Sequence, residues 1–508
     1  MRINKTKSSI ENIFWGITNR LLSLIFPFII RTIIIKKLGA EYTGLSSLFT
    51  SVFQVLSLAE LGFGSSIVFA MYEPIAKNQF EKIGALLLYY KKVYTIIGLL
   101  VLSIGLILLP FIPKLISGNV PNDVNLYYLF FIYLVNSVLS YFFFAYRASL
   151  LTAYQKESIN SKINSSINFI MYILQIIVLV IYKNYYFYII LLPFFTMLYN
   201  LVRYMYVLRE YPYIEIKGII DYEEKKKIRK NIFALFLHKI GGIAVNTIDN
   251  IVISFFLGLL ILSNYNNYYY LLSAVTSLIT IFFSSLTAGI GNSVILDDNN
   301  RVKENFFAIF YINGVIVSVC TVCFFSMYQD FISLWVGKQY LFSIYTMILF
   351  CFYFFIHTIR RTVIMYRDAS GQWRDNQWQP IVASFVNFIL NIILIKIIGI
   401  NGILISTLIS MILVDMPWEG ITICKNLLNT SSRLYFRWIF IFFISTVSSC
   451  MLIFITSQLL MNITIYLRLF INFFISITIP CIILLILFNK FPYKKRIMEI
   501  TVNILKRV

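Results

Sequence analysis

The sequence predicts an all-α, polytopic membrane protein of about fourteen transmembrane helices, built as two pseudo-symmetric six-helix lobes followed by a C-terminal helix pair. Three observations predict it. Of the 508 residues, 59% are hydrophobic and 13% charged, and the mean hydropathy is +0.81, too apolar and too long for a single soluble core. Apolar stretches of about 20 residues, enough to cross a bilayer core, recur along the whole chain. The chain also repeats itself. Asn19-Arg20 is followed eighteen positions after Arg20 by Leu38-Gly39, and then by Gly62-Phe63-Gly64; His238-Lys239 is followed eighteen positions after Lys239 by Leu257-Gly258, and then by Gly289-Ile290-Gly291. Phe111 to Gly118 answers Phe331 to Gly337, and Arg147 with Asn168-Phe169 answers Arg361 with Asn387-Phe388. Related halves are a common construction of alternating-access transporters, with substrate held between the repeats.

Taken in order, the spans fall near 13–35, 44–72, 91–114, 124–152, 163–183, 186–208, 232–257, 264–290, 304–327, 340–366, 379–396, 401–425, 436–458 and 464–488. This gives an N-terminal lobe over 1–210, a basic linker over 211–230, a second lobe over 231–428, and a helix pair with a basic tail over 429–508. Lys5 and Lys7 precede the first apolar segment as in a signal peptide. No small-residue cleavage site follows, and Arg20 and Arg31 interrupt the stretch, so it reads as an uncleaved first helix.

The 43 Lys and Arg exceed the 22 Asp and Glu, a net +21. Their positions alternate with topology, which argues against nucleic acid. With a cytoplasmic N-terminus, about 31 basic residues fall inside, about 6 outside and about 6 within spans, the positive-inside pattern. Both termini are then cytoplasmic. The densest cluster, Lys225-Lys226-Lys227-Ile228-Arg229-Lys230, reads as an orientation signal resting on anionic membrane lipid. The six cysteines are scattered through apolar spans, and Cys320-x-x-Cys323 has no second pair or His at ligand spacing, so it reads as packing. No cofactor or metal is implied. The external loops, about Ser117 to Asp123 and Tyr328 to Gln339 at their longest, are too short for a catalytic domain, and GxSxG, HExxH, Walker and GxGxxG motifs are absent. Transport, not covalent chemistry, is the expectation.

Leu38-Gly39-Ala40-Glu41-Tyr42-Thr43-Gly44-Leu45, Leu58-Ala59-Glu60-Leu61-Gly62-Phe63-Gly64-Ser65-Ser66-Ile67 and Tyr72-Glu73-Pro74-Ile75-Ala76 resemble the polysaccharide-transport family of the MOP flippase superfamily. In the second half, Thr247 to Ser254 with Ser263-Asn264-Tyr265, Arg367 to Asp375, and Gly399-Ile400-Asn401-Gly402 with Ser406-Thr407 continue the resemblance, which covers essentially the whole chain. It is strongest to Wzx-type O-antigen and capsule exporters. The resemblance implies a MATE-like pair of lobes in a bacterial cytoplasmic membrane. It also implies flipping, to the outer leaflet, of an oligosaccharide linked through a diphosphate to a polyprenyl lipid such as undecaprenol. Polysaccharide-assembly proteins are potential partners. Two alternatives stay open: a multidrug or small-cation exporter of the same superfamily, and a membrane polymerase acting on the same lipid-linked glycan.

Such a cargo calls for fixed cations on the diphosphate, and for amides, hydroxyls and aromatics on the sugars. Arg20, Pro27 and Arg31 are spaced by 7 and 4 and share one face of the first helix, as Lys239, Asn246 and Asn250 do on the seventh. Tyr133, Asn136, Ser140 and Arg147 mark the fourth helix, and Asn164, Asn168 and Gln175 the fifth. Charges inside spans are costly and are functional candidates. Arg31 and Asp249 lie 7 and 8 residues before Leu38 and Leu257, so both sit roughly 11 Å below their helix ends. Arg31 is expected on the diphosphate, since guanidinium forks two phosphate oxygens. Asp249 is expected as its counter-charge or as a site for a coupling proton or sodium ion, with a purely structural pair of equal weight. Arg147, Arg360 and Arg361 lie near the cytoplasmic mouth, where snorkelling competes with substrate capture. Depth pairs Glu60 with Arg20, and Asp415 and Glu419 are expected to meet Lys425 or Arg437. His238 and His357 read as packed histidines. Among the aromatics, those on a polar stripe, such as Tyr133, are the candidate sugar platforms.

Overall fold

The computed structural model describes residues 5–60, 62–142, 144–372, 374–460, 462–488, 492–494 and 496–499, without the side chains of 5–10, 12, 13, 59, 227, 231, 233–246, 288 and 374. The described residues form helices joined by turns and loops, with no strand among them. They divide into two compact units, Met1–Ser263 and Asn264–Val508.

In the first unit, α1 (Lys5–Lys37) carries Pro27 inside it and packs along α7 (Glu157–Ile181). Asn164 Nδ2 donates to Asn19 Oδ1 at 3.1 Å, and Phe26 stacks on Tyr172 with centroids 5.3 Å apart. Between them in sequence lie α2 (Ala40–Leu56), α3 (Phe63–Ala76), α4 (Phe80–Leu108), α5 (Leu126–Phe142) and the short α6 (Ala148–Ala153). The unit continues with α8 (Tyr185–Glu210), whose Asn184 cap accepts from the Tyr186 and Phe187 amides, and with α9 (Tyr222–Leu296) as far as Ser263. The second unit takes the rest of α9, then α10 (Asn299–Trp335), α11 (Ile344–Ile359), α12 (Arg361–Ser370), α13 (Gln379–Ile398), α14 (Ile400–Ser410) and α15 (Met416–Asn426), the last two joined by a π turn at Met411–Asp415. It ends in α16 (Ser432–Leu459) and α17 (Ile465–Leu487).

Eleven of the described helices are long and apolar enough to cross a membrane, and twelve if the bent pair α5 with α6 is one span. The expected fourteen spans differ from this tally for two reasons. The second predicted span is divided into α2 and α3, of 17 and 14 residues, and the seventh and eighth run together in α9. That run is interrupted at Gly258, whose φ of 84° leaves the helical region.

Gly258 matches Gly39, which turns α1 into α2 at φ 130°. Gly118 and Gly337, paired by the repeat, also both have positive φ, 78° and 116°. Only a residue without Cβ takes these conformations cheaply, so the repeated glycines mark the same turns in both halves.

The final helix pair belongs to the second unit. A Cβ on Gly314 of α10 would collide with the Phe442 ring of α16. Thr446 donates to Ser318 at 2.9 Å, Ser326 and Ser476 hydroxyls meet at 2.7 Å, and Arg468 Nε donates to Asp330 Oδ2 at 2.6 Å. Small residues and hydroxyls are how helices approach closely where lipid removes the hydrophobic driving force. At the other end of the first unit, the linker lies against α4: the Glu215 carbonyl abuts Gly84, and Lys82 pairs with Glu224 at 3.2 Å. Lys217, beside Glu215 in this exposed linker, has its ammonium pKa held above the ordinary value by the hydrogen bond and the carboxylate charge. Of the basic cluster, Lys226, Arg229 and Lys230 are exposed on the first turns of α9.

Candidate functional site

Four polar residues of α2, namely Thr43, Ser47, Ser51 and Gln54, recur at helical spacing and so face one way. Three of them meet α9, which runs antiparallel to α2. Thr43 Oγ1 lies 2.5 Å from Ser263 Oγ, Asn250 Nδ2 donates to Ser51 Oγ at 2.9 Å, and Thr247 Oγ1 donates to Gln54 Oε1 at 3.2 Å. Between these contacts, Gly44 lets the helices touch: a Cβ there would overlap the Leu259 carbonyl. Arg31 of α1 joins the same seam, with Nη2 donating to the Ser263 carbonyl at 3.0 Å. Gly258 breaks α9 between Asn250 and Ser263, and at this break the Ser117 amide donates to the Ser254 carbonyl at 2.9 Å. Irregular backbone at membrane depth persists where protein or a cavity satisfies its polar groups.

Two of the predicted binding residues, Arg31 and Asn250, therefore contact one seam. Asp249 lies on the same turn of α9 as Asn250 and is 1% exposed. Arg20 is exposed on α1, whereas Glu60 accepts a hydrogen bond from the Tyr94 hydroxyl. Lys239 lies on a helical stretch whose side chains are outside the described residues, as do Asn246 and His238. Arg147 sits where α5 gives way to α6, half-buried, with its guanidinium 5.0 Å from the centre of the Tyr204 ring. Arg361 opens α12, half-buried, and its Nε has no hydrogen-bond partner. Asn136 and Asn168 tie helices and turns together: Asn136 Oδ1 accepts from Thr196 at 2.7 Å, and Asn168 Nδ2 donates to Asn164 Oδ1 at 2.9 Å. Tyr133 is 7% exposed, its hydroxyl 3.0 Å from Ser46 and its ring stacked on Phe53, so it is a packed residue and not an open sugar platform.

The expectation for Asp415 and Glu419 is corrected. Both meet Arg360, not Lys425 or Arg437. Arg360 forks Glu419 with two bonds of 2.9 Å and reaches Asp415 at 3.0 Å; Arg367 lies 3.8 Å from Glu419. Gln379 Nε2 donates to both carboxylates, at 2.5 and 3.2 Å. Arg360 is 6% exposed, so it does not snorkel. Arg360 and Arg367 pair here with Asp415 and Glu419, and Arg367 also with Asp368 at 3.1 Å, which makes the cluster a knot joining α11, α12, α13 and α15. His357 stacks on Tyr353 with centroids 5.6 Å apart, as a packed histidine would.

The seam partners on α2 carry a signal that pattern reading could have found, because Thr43, Ser47, Ser51 and Gln54 are polar residues at helical spacings of 4, 4 and 3. The pairing of Arg360 with Glu419, 59 residues apart, carries no local signal.

A family model described as "Polysaccharide biosynthesis protein" matches residues 9–288, more than half of the chain. No curated protein matches. Among solved structures, the chain is similar to the lipid II flippase MurJ in an inward closed conformation, at TM-score 0.71 and 15% identity, over 94% of this chain and 99% of that one. It is also similar to a multidrug resistance MATE family transporter of the MOP superfamily. The inward-facing form matches at TM-score 0.58 and 13% identity, over 79% of this chain and 93% of that one. The outward-facing form matches at TM-score 0.52 and 13% identity, over 82% and 95%. At these identities the likeness concerns the fold.

Proposed function

The chain belongs to the polysaccharide biosynthesis protein family of the MOP flippase superfamily, and from that membership we propose that it flips a lipid-diphosphate-linked oligosaccharide. The cargo passes from the cytoplasmic to the outer leaflet of a bacterial cytoplasmic membrane, for surface polysaccharide synthesis. The carrier is a polyprenol, and both termini are cytoplasmic. The family match over residues 9–288 is the observation that supports this reading most directly, and MurJ, a flippase of lipid II by its description, is the relative whose fold is similar over 94% of the chain.

In this reading residues 1–210 and 231–428 are the two repeats, 211–230 is the linker between them, and access alternates through a cationic cavity. Arg31 holds the diphosphate, helped by Arg20, Arg147 and Lys239 of the same unit, because guanidinium keeps its charge at depth and bridges two oxygens, and Arg361 is a cargo-binding candidate of the second unit. Asn250, Asn136 and Asn168 supply amides to the headgroup as helices separate, and Asp249 takes a coupling proton or sodium ion. The α2–α9 seam is a gate: the four contacts named above are single hydrogen bonds, each worth about 0.6 kcal/mol in a membrane protein, weak enough to part within a transport cycle. Nothing in the sequence or the described residues points to bond-making chemistry.

The test is reconstitution. The protein is placed in liposomes with a lipid-diphosphate oligosaccharide, and exposure of the sugar to an external lectin is followed with time. Protein-dependent exposure at unchanged glycan mass is expected. A lengthened glycan without exposure would replace the flippase by a polymerase, and neither would turn the reading toward export of small molecules.

A further inference from the structure

Two broken helices of the first unit line one polar cavity. α2 ends in a tight 3-10 turn at Ser57–Glu60 and passes through left-handed Gly62 (φ 91°) into α3. α5 bends 48° into α6 beside Phe144, a non-glycine residue at φ 58°. Backbone irregular at membrane depth is tolerated where it is buried or lines a water-filled cavity, and such breaks mark substrate sites in transporters. The open pocket they share has a volume of about 650 Å³, within the range of about 300–1,000 Å³ that holds small ligands.

Its lining is of a particular kind. The charged members are one carboxylate, Glu60, and one guanidinium, Arg203. Tyr90 donates to Tyr94 at 2.6 Å, Tyr94 donates in turn to Glu60, and the Tyr141 hydroxyl is a second partner of Glu60, whose carboxylate has lone pairs beyond these two. Arg203 lies 3.8 Å from the Tyr199 ring centre and donates to Asn160 and Asn200 at 3.0 Å each, while its Nε has no partner. Hydroxyls of Ser65, Ser140, Ser149 and Thr152 complete the wall. At its edge two rings stand open: Tyr72 is 43% and Phe69 is 61% exposed, with centroids 6.2 Å apart. Gly64 keeps the wall thin, since a Cβ there would come within 3.0 Å of the Tyr90 hydroxyl.

We propose that this cavity within the first unit binds the saccharide portion of the cargo, a neutral, hydroxyl-rich oligosaccharide. A carboxylate, a guanidinium and an amide together offer paired acceptors and donors to vicinal hydroxyls, and exposed aromatic faces take the C–H faces of pyranose rings. A diphosphate would meet Glu60, and an organic cation would meet Arg203. With one charge of each sign, the cavity discriminates against both. None of the residues lining the cavity is among those assigned to the diphosphate above, and Arg147 of that set lies in the same α5–α6 break, between the lining residues Ala145 and Ala148. This assignment rests on the flippase reading above for the identity of the cargo, and on the cavity alone for its chemistry.

The experiment uses the full chain in lipid nanodiscs. The probe is the free oligosaccharide released by mild acid from the lipid-linked intermediate of the source cells, and binding is followed by saturation-transfer NMR. Wild type is expected to transfer magnetisation to sugar C–H protons. Glu60→Gln and Tyr72→Ala are each expected to weaken binding by about five- to tenfold, the loss of one hydrogen bond or one stacking face. Tyr72 is exposed and Gln can still accept from Tyr94, so neither change threatens folding. Excess inorganic diphosphate is expected to leave the signal in place. Unchanged binding by both variants, no binding by wild type, or displacement by diphosphate would each overturn the assignment. Lectin exposure measured on the same preparations separates the two readings: flipping by a wild type that binds no oligosaccharide sinks the saccharide site alone, and binding without flipping sinks the flippase alone.

Discussion

Gly44→Ala adds a single methyl group at the place where α2 and α9 touch. The added Cβ would overlap the Leu259 carbonyl and crowd its carbon and Cα, all backbone atoms that cannot rotate away. Within α2 itself the substitution is favourable, since Ala exceeds Gly in helix propensity by about 1 kcal/mol. Any destabilisation must therefore come from the seam. A reporter cysteine at Ser51, which is 2% exposed, removes one of the four contacts in both the reference and the test protein. Of the contacts named above it leaves Arg31 to Ser263, Thr43 to Ser263, and Thr247 to Gln54. At about 0.6–1 kcal/mol each, their loss amounts to about 2–3 kcal/mol, or about a 30- to 140-fold shift toward the parted seam. The assay compares the rate at which a bulky, water-soluble maleimide labels Ser51→Cys with and without Gly44→Ala, subtracting the native thiols. The double variant is expected to label at least tenfold faster. Equal rates would refute the argument that contact at Gly44 holds the seam closed.

Three further outcomes are expected. Arg31→Ala should abolish export with protein level near normal, and Arg31→Lys should keep part of it, as a point charge replaces a fork; full activity of the alanine variant would remove Arg31 from the site. Transport that depends on a proton or sodium gradient should lose that dependence in Asp249→Asn, measured in liposomes with imposed gradients, and dependence that survives would exclude Asp249 as the sole coupling site. Glu419→Ala removes the carboxylate that Arg360 forks, leaving Arg360 with Asp415 and Arg367 with the half-exposed Asp368. It should destabilise the second unit by about 3–5 kcal/mol, seen as a lower melting temperature in detergent, while an unchanged melting temperature would show that the knot carries little stability.

Much of the architecture is legible in the chain because membrane insertion reads local composition. Twenty apolar residues form a helix wherever they lie, since lipid offers backbone groups no other partners. The repeat is legible for a similar reason: Gly39 and Gly258, like Gly118 and Gly337, are needed at turns of positive φ, so the same residue recurs at the same register. Arg31 and Asn250 stood out as polar residues inside apolar runs, and the structure places both on the α2–α9 seam. Depth along a helix is also readable, at 1.5 Å per residue, but depth is one coordinate of three.

Pairing needs the other two. Glu60 and Arg20 share a depth, yet Glu60, at the end of the 3-10 turn Ser57–Glu60, accepts from the Tyr94 hydroxyl, and Arg20 is exposed on α1. Asp415 and Glu419 bond Arg360 across 55 and 59 residues of sequence, a choice made by how α11 and α15 pack. Tyr133 lies on a polar stripe and is nonetheless enclosed by Phe49, Phe53 and Ser46. The cavity of Glu60 and Arg203 is drawn from α3, α4, α5, α6, α7 and α8 and the two breaks, with no local pattern to announce it. Residue type and period determined that these helices exist, where they turn and how polar they are, because those are short-range properties of the chain in lipid. Which polar groups meet was decided by tertiary packing, because a hydrogen bond needs its partners within about 3 Å and sequence distance does not encode that.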